Sequence, residues 1–270
     1  GGALRSAGDA KTPLRLGVVM TLLNIILNVI FIRGLGPIPA FGTLGAAMGT
    51  VIAGGVISVY ALIRLFGGGW VVSFHKGMGW APDWKVIRQL FKFGLPTGIQ
   101  GVAMNVGGVL MLAFVGSLAA SAQAQAAYVV SYTQIFSFIT WTSVGIMGAT
   151  AAVAGQNLGA GQPDRTARSV HVAAGLGLSV AAGIGVWFFL VPYQLLGLFG
   201  MDDPTVLALS VELLRYLAVS GLFITVALAY TGGLQGTGDT KSPMYISIVS
   251  QIVIPLGICF SIQTFSTLDP

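Results

Sequence analysis

Long uncharged apolar stretches constrain this chain more than any other feature. Residues 93–163 are 71 consecutive positions without Asp, Glu, Lys or Arg. Five shorter charge-free stretches cover residues 16–32, 44–63, 169–191, 216–238 and 242–268. A helix that crosses a bilayer needs about 20 mainly apolar residues, because no backbone polar group can stay unpaired in hydrocarbon. Since 93–163 can hold two such helices around a polar turn at 116–125, the sequence predicts an all-α, polytopic membrane helical bundle. Its seven transmembrane spans are labelled A to G in chain order.

Basic residues are divided unequally between the loops on the two sides of the membrane. One set of loops holds only Arg33 and Arg215. The other holds eleven: Arg5, Lys11, Arg15, Arg64, Lys76, Lys85, Arg88, Lys92, Arg165, Arg168 and Lys241. Because cytoplasmic loops carry the excess of Lys and Arg, we expect Gly1 inside and Pro270 outside a cell inner (plasma) membrane. The net charge of +5 then reflects topology, and no nucleic-acid partner is expected.

A twelve-residue string occurs twice in the sequence, 230 positions apart. The copy at 2–13 is GALRSAGDAKTP and the copy at 232–243 is GGLQGTGDTKSP. Six spans separate the copies, so both lie on the cytoplasmic side and the repeat is parallel, with a period of six helices. Internal repetition of this kind is typical of transporters. Because seven spans cannot hold two six-helix units, we expect the chain to be a fragment.

The longest hydrophilic stretch, residues 67–93, is the expected seam between the two halves. It begins with three consecutive glycines, and Asp83 is placed to cap a short interfacial helix over 82–92. We therefore predict that residues 1–66 end an N-terminal lobe with two spans. Residues 67–93 would form a cytoplasmic linker, and 94–270 a C-terminal lobe with five spans.

Uncharged polar side chains lie deep in the predicted spans. Asn24 and Asn28 are four residues apart, so both carboxamides project from one helical face and suit a cation ligand. Hydrogen bonding between helices is the alternative. Thr50, in span B, is a third uncharged polar residue at depth.

A second set of polar and aromatic side chains suits a cavity for an amphipathic ligand, with ordinary packing as the alternative. This set is Gln100, Asn105, Tyr128, Tyr132, Gln134, Thr140 and Trp141.

Charged and reactive residues give little support for enzyme chemistry. No Asp, Glu, Lys or Arg lies in the middle of a span, and no nucleophile, base and acid occur together. No His-Glu motif marks a metal site, and the single cysteine, Cys259, cannot form a disulfide within the chain. We therefore expect neither an enzyme nor a bound metal or cofactor.

Several strings together resemble the multidrug and toxic compound extrusion (MATE) family. They are NIILNVIF at 24–31, GTLGAAMGT at 42–50, GLP at 94–96, GQNLGAG at 155–161 and both Gly-Asp-x-Lys-[Thr/Ser]-Pro strings. The resemblance runs the whole length. It implies a two-lobe, twelve-helix transporter with a central cleft, whose signature precedes helices five and eleven. Spans A to G would then be helices five to eleven, with four helices upstream and one downstream.

The resemblance also implies a cation site in the N-terminal lobe. In many archaeal and bacterial members, that site joins an Asp on helix one with Asn and Asp on helix five and Thr on helix six. Asn24 and Thr50 match the Asn and the Thr, whereas Asn28 stands where those members have Asp. Another branch carries acids on helices seven and ten, and the nearest positions here are uncharged. Asn24, Asn28 and Thr50 are therefore the expected cation-binding or coupling residues.

The function implied by the resemblance is secondary active export of cationic or amphipathic small molecules by alternating access. Proton or Na⁺ influx would drive this drug and toxin efflux. Its partners would be the lipid bilayer and a small-molecule substrate, with no cofactor and no obligate protein partner. A lipid-linked oligosaccharide flippase of the same superfamily is one alternative, and would need cationic groups in its cleft. A membrane scaffold that transports nothing is the other.

Overall fold

The structure is a computed structural model that describes residues 1–74, 77, 79, 81–118 and 121–265. Within these residues, seven helices are long and apolar enough to cross a membrane. They are Lys11–Arg33, Thr43–Phe66, Trp84–Val115, Ser121–Gly159, Pro163–Leu190, Pro204–Gly236 and Lys241–Ile262. The prediction of an all-α bundle with spans A to G is therefore confirmed.

The chain divides into two compact units, Gly1–Pro82 and Asp83–Pro270. This division falls inside the stretch 67–93, where the sequence places its linker. The assignment of 1–66 and 94–270 to two lobes of a larger transporter stays a prediction.

The described part of the first unit contains three helices: α1 (Gly2–Ser6), α2 (Lys11–Arg33) and α3 (Thr43–Phe66). Helices α2 and α3 pack closely because the buried positions of α3 are the small residues Gly45, Gly49 and Ala53. A Cβ atom on Gly45 would strike the backbone of Phe31 in α2. Small residues spaced four apart let two helix backbones approach, which is how helices associate in lipid without a hydrophobic drive.

The second unit begins with α4 (Trp84–Val115) and α5 (Ser121–Tyr128). Span D continues through a π-helical segment, Val129–Ile135, into α6 (Ser137–Gly159). There follow α7 (Pro163–Leu190), the short α8 (Pro192–Gly197) and α9 (Pro204–Gly236). Span G comprises α10 (Lys241–Ile248), a second π-helical segment (Val249–Val253) and α11 (Ile254–Phe265).

Helix α9 packs against both α6 and α7 and carries more buried residues than any other described helix of the second unit. The apolar core joins Ile135, Phe136 and Ile139 to Phe188 and Leu214. Glycines on α9 bring it close to α6, because a Cβ atom on Gly232 or Gly236 would strike the α6 backbone. Both glycines belong to the second copy of the repeated string, which therefore has a packing role.

The prediction of a short, separate interfacial helix at 82–92 is wrong. Asp83 caps a helix as expected, since its Oδ1 accepts hydrogen bonds from the Lys85 and Val86 amides at 2.9 and 3.2 Å. That helix, however, is α4, which continues without a break to Val115. Nothing ends it at Lys92, because the following Phe93-Gly94-Leu95 keeps helical geometry and Pro96 is accommodated within the helix.

The repeated string adopts the same backbone in both copies. Gly8 and Gly238 have φ values of +90° and +95°, in the left-handed region that glycine accepts at low cost. The amides of Asp9 and Asp239 donate to the carbonyls five residues earlier, both at 2.9 Å. Each Asp Oδ1 then accepts a hydrogen bond from the amide three residues later, at 2.9 Å in the first copy and 3.1 Å in the second. Each copy of the repeat therefore forms the same junction, in which one helix ends, the chain turns at a glycine and the next helix begins.

Candidate cation site and substrate cavity

A chain of hydrogen bonds joins the three predicted cation-site residues in the first unit. Asn28 Nδ2 donates to Asn24 Oδ1 at 3.1 Å, and Asn24 Nδ2 donates to Thr50 Oγ1 at 3.1 Å. The Thr50 hydroxyl donates in turn to the carbonyl oxygen of Ala46, one turn earlier in α3, at 3.0 Å. The helical spacing of α2 thus aligns the two carboxamides, and the close approach of α3 brings the hydroxyl to them.

One acceptor atom at the end of this chain has no donor. Asn28 Oδ1 is buried and lacks a hydrogen-bond partner among the described residues. It lies against α3, because a Cβ atom on Gly49 would strike it. An unsatisfied buried acceptor costs about 1–3 kcal/mol, so a cation or a proton donor that reached this oxygen would be favoured there. Asn28 is uncharged, so the attraction is that of an amide dipole alone.

Gln100 lies in a buried polar network of the second unit. Its Nε2 donates to Ser247 Oγ at 2.7 Å, and its Oε1 accepts a hydrogen bond from Gln235 Nε2 at 2.9 Å. The residue is 5% exposed. These bonds tie α4, α9 and α10 together, so the Gln100 carboxamide already has partners on two other helices.

The two tyrosines of the predicted cavity stack on one another along span D. The Tyr128 and Tyr132 rings are 5.0 Å apart between centroids and lie within 14° of parallel. Tyr132 also contacts the ring of the buried Phe136 at 5.7 Å. This ladder spans the π-helical segment 129–135, and π-helical departures from an α-helix frequently occur at functional sites. Tyr132 remains partly exposed, so one face of the ladder is open to a neighbour or a ligand.

The remaining predicted cavity residues are found in less constrained positions. Asn105 Nδ2 donates to the Gly101 carbonyl one turn earlier at 2.8 Å. Thr140 Oγ1 donates to the Ser137 carbonyl at 3.3 Å. Gln134 is exposed, and Trp141 is 73% exposed. The structure therefore brings the two tyrosines together and assigns Gln100 to a packing network, and a shared cavity for the whole set stays a prediction.

Comparison with known proteins decides the family. The MatE family model matches residues 96–260, more than half of the chain. This chain belongs to the MatE family. It is consequently a multi-pass protein of the inner membrane, and its homologues are transporters and not enzymes.

Relatives of this MatE chain extend the similarity beyond the matched range. It is 27% identical over 260 residues to the probable multidrug resistance protein NorM of Thermotoga maritima, covering 95% of this chain and 54% of that protein. It is 26% identical over 253 residues to the multidrug resistance protein MdtK of Pectobacterium atrosepticum, covering 92% of this chain and 54% of the relative. The chain thus spans about half the length of the curated relatives it matches.

The fold of this MatE chain also matches solved structures. A MOP superfamily transporter from Pyrococcus furiosus, described as having a binding pocket of reverse polarity, superposes with a TM-score of 0.87. The two are 21% identical, and the match covers 97% of this chain and 57% of the other. At this identity the likeness concerns the fold.

Sequence reasoning missed several polar residues that meet inside the MatE bundle. Gln235 and Ser247 complete the network around Gln100, and Ser143 pairs with Thr225 through their hydroxyl oxygens, 2.7 Å apart. Gln235 stands within the repeated string, at a position occupied by Arg5 in the first copy. A polar residue in an apolar span signals a partner, but its position alone does not name one 135 residues away.

Proposed function

We propose that this chain belongs to a secondary active exporter of cationic or amphipathic small molecules, driven by proton or Na⁺ influx through alternating access. The observation that carries the proposal is the Asn24–Asn28–Thr50 chain with its unpartnered Asn28 oxygen. Family membership and the multidrug-resistance names of the relatives support the export of drug-like substrates. Because Asn28 Oδ1 accepts no hydrogen bond from the described residues, it is free to bind a coupling ion and to release it again.

The two interpretations of Asn28 predict opposite effects of removing its carboxamide. If the residue serves only packing, Asn28→Leu replaces an unsatisfied acceptor by an apolar group of similar size. The same change removes the hydrogen bond from Asn28 Nδ2 to Asn24 Oδ1, so stability falls by about 0.5–1.5 kcal/mol while ion-driven efflux per folded protein is unchanged. If Asn28 binds the coupling ion, efflux falls although the protein folds normally.

The test is gradient-driven efflux in cells or vesicles that contain the full-length gene product. We expect Asn24→Ala, Asn28→Leu and Thr50→Ala each to lower ion-driven efflux by about tenfold or more, equivalent to about 1.4 kcal/mol of lost ion binding. Ser58→Ala is the matched control, since it removes an exposed hydroxyl from the same helix as Thr50. Unchanged efflux in all three site variants would rule out this cation site.

We propose further that the Tyr128–Tyr132 ladder and the exposed Trp141, on the same span, contribute to the substrate cavity. Stacked aromatic faces attract cationic and amphipathic compounds. Single cysteines at Asn105, Tyr132 and Trp141, introduced in a Cys259→Ala background, should react with a water-soluble thiol reagent if they line a wet cleft. Protection of all three from the reagent would favour a scaffold in which these residues only pack.

A further inference from the structure

A groove runs along the joined faces of α6 and α7 in the second unit. Its volume is about 690 Å³, within the range of about 300–1,000 Å³ that ligand sites occupy. Most of its wall is apolar and is formed by side chains that include Ile146, Val153, Val172 and Leu176. Thr150 also lines the groove, and its hydroxyl donates to the Ile146 carbonyl of its own helix at 2.8 Å.

Apart from Thr150, the polar residues of the groove are gathered at one end. Asn157, Arg165, Arg168 and Ser169 lie there, at the junction between α6 and α7. Arg165 donates to the Gln162 side-chain oxygen at 3.1 Å. In the part of the chain that the structure describes, no hydrogen bond or ion pair engages the exposed Arg168 guanidinium. The residues that line the groove include two cations and no carboxylate, so this end attracts an anion.

The dimensions of the groove match one leaflet of a bilayer. Its wall extends over twelve residues of α6, from Ile146 to Asn157, and equally far along α7, and the eleven steps between the first and last residue correspond to about 16 Å of helix. One leaflet contributes about half of the roughly 30 Å hydrocarbon core. The unequal division of Lys and Arg between the loops places the arginine end at the cytoplasmic surface.

We propose that this groove binds an anionic phospholipid of the inner leaflet. The phosphate lies between Arg165 and Arg168, and an acyl chain follows the apolar wall toward Ile146 and Leu176. Arginine is suited to this because its guanidinium donates two parallel hydrogen bonds to phosphate oxygens. Basic pockets between transmembrane helices on the cytoplasmic side are places where anionic headgroups bind. The proposal does not depend on transport.

The first test compares lipid binding by the full chain in detergent, using native mass spectrometry. We expect the protein to retain phosphatidylglycerol in preference to phosphatidylethanolamine. Arg165→Gln combined with Arg168→Gln should lower that preference by up to about 30-fold, as expected for two cations near a headgroup. Lys85→Gln combined with Arg88→Gln removes the same charge from the cytoplasmic end of α4 and should leave the preference unchanged. An equal loss in this control pair, or equal binding of the two lipids by the parent chain, would overturn the proposal.

The second test separates a lipid from a free phosphate. Ala149→Phe should fill the groove and reduce phosphatidylglycerol binding while both arginines remain, since Ala149 is an exposed residue of its wall. Val144→Phe, at an exposed position of the same helix outside the groove, is the matched control and should bind normally. If Ala149→Phe binds as the parent does, or glycerol phosphate alone displaces the lipid, the site is one for small anions and the lipid proposal fails. Circular dichroism of each variant verifies that the helices are retained.

Discussion

Asp9 and Asp239 occupy equivalent positions in the two copies of the repeated string and form the same local structure. Asp9 and Asp239 each accept hydrogen bonds at the start of a transmembrane helix, from Thr12 and Ser242 respectively. These bonds favour the ionised carboxylates, so they lower the pKa of both groups below the ordinary value of 3.8. The sequence pattern marked these positions as equivalent, and the structure shows what they do.

The lowered pKa values predict how acid affects the two turns. Because the folded pKa lies below the ordinary value, the contribution of each carboxylate is present above pH 3.8 and lost as the pH falls through the folded pKa. We expect the Thr12 and Ser242 amides to lose protection from hydrogen exchange in that acid range. Asp9→Ala and Asp239→Ala should each remove the protection of their own turn at neutral pH.

Asp202→Ala serves as the control for this exchange experiment. Asp202 is exposed and precedes the capping Asp203, whose Oδ1 accepts from the Thr205 and Val206 amides. Its replacement should leave the Thr12 and Ser242 amides protected. Equal exchange at these amides in the parent and in both variants would contradict the capping role.

At the scale of helices, glycine positions determine which elements approach most closely. Gly45 and Gly49 of α3 face α2, whereas no atom of the described residues lies within 4 Å of the place where a Cβ atom on Gly55 would be. On α9, Gly232 and Gly236 serve the corresponding purpose against α6. The glycine content alone predicts close helix packing in lipid, but only the positions relative to a neighbour distinguish the packing glycines from the others.

This difference predicts opposite outcomes for two Gly→Ala substitutions in α3. Gly45→Ala forces a methyl group against the Phe31 backbone and should lower the free energy of unfolding by about 1–3 kcal/mol. Gly55→Ala meets no neighbour among the described residues and should leave the free energy of unfolding unchanged or raise it by up to about 1 kcal/mol, through helix propensity. Reversible unfolding in bicelles measures both. A similar loss in the two variants would indicate that α2 and α3 do not approach at Gly45.

The charge distribution and the parallel repeat predict the topology of the whole molecule. In a Cys259→Ala background the chain has no cysteine, so single cysteines report one position each. We expect Lys11→Cys and Lys241→Cys to react with a membrane-impermeant maleimide only from the cytoplasmic side. Asp202→Cys should react only from the external side. Reaction of the Lys11 and Lys241 variants from opposite sides would show that the repeat is inverted.

The sequence by itself determined the properties that depend on local composition. The seven spans, their order, the capping role of Asp83 and the equivalence of the repeated strings could all be predicted, because apolar transfer and capping act within a few turns of helix. Whether one helix continues into the next is harder to predict, because nothing in the sequence distinguishes a separate interfacial helix at 82–92 from the first turns of α4. The π-helical form of 129–135 likewise gave no signal in hydropathy.

Only the tertiary structure decided which polar groups meet. Asn24 and Asn28 are paired by helical spacing, but Thr50 reaches them across 26 residues because glycines on α3 let the helices approach. Gln100 finds Ser247 across 147 residues and Gln235 across 135, in a network that turns a predicted cavity residue into a link between helices. The groove at Arg165 and Arg168 exists only because α6 and α7 lie side by side. Hydropathy is a sum over neighbouring residues, whereas a site is a set of distances, and those distances are set by packing between distant parts of the chain.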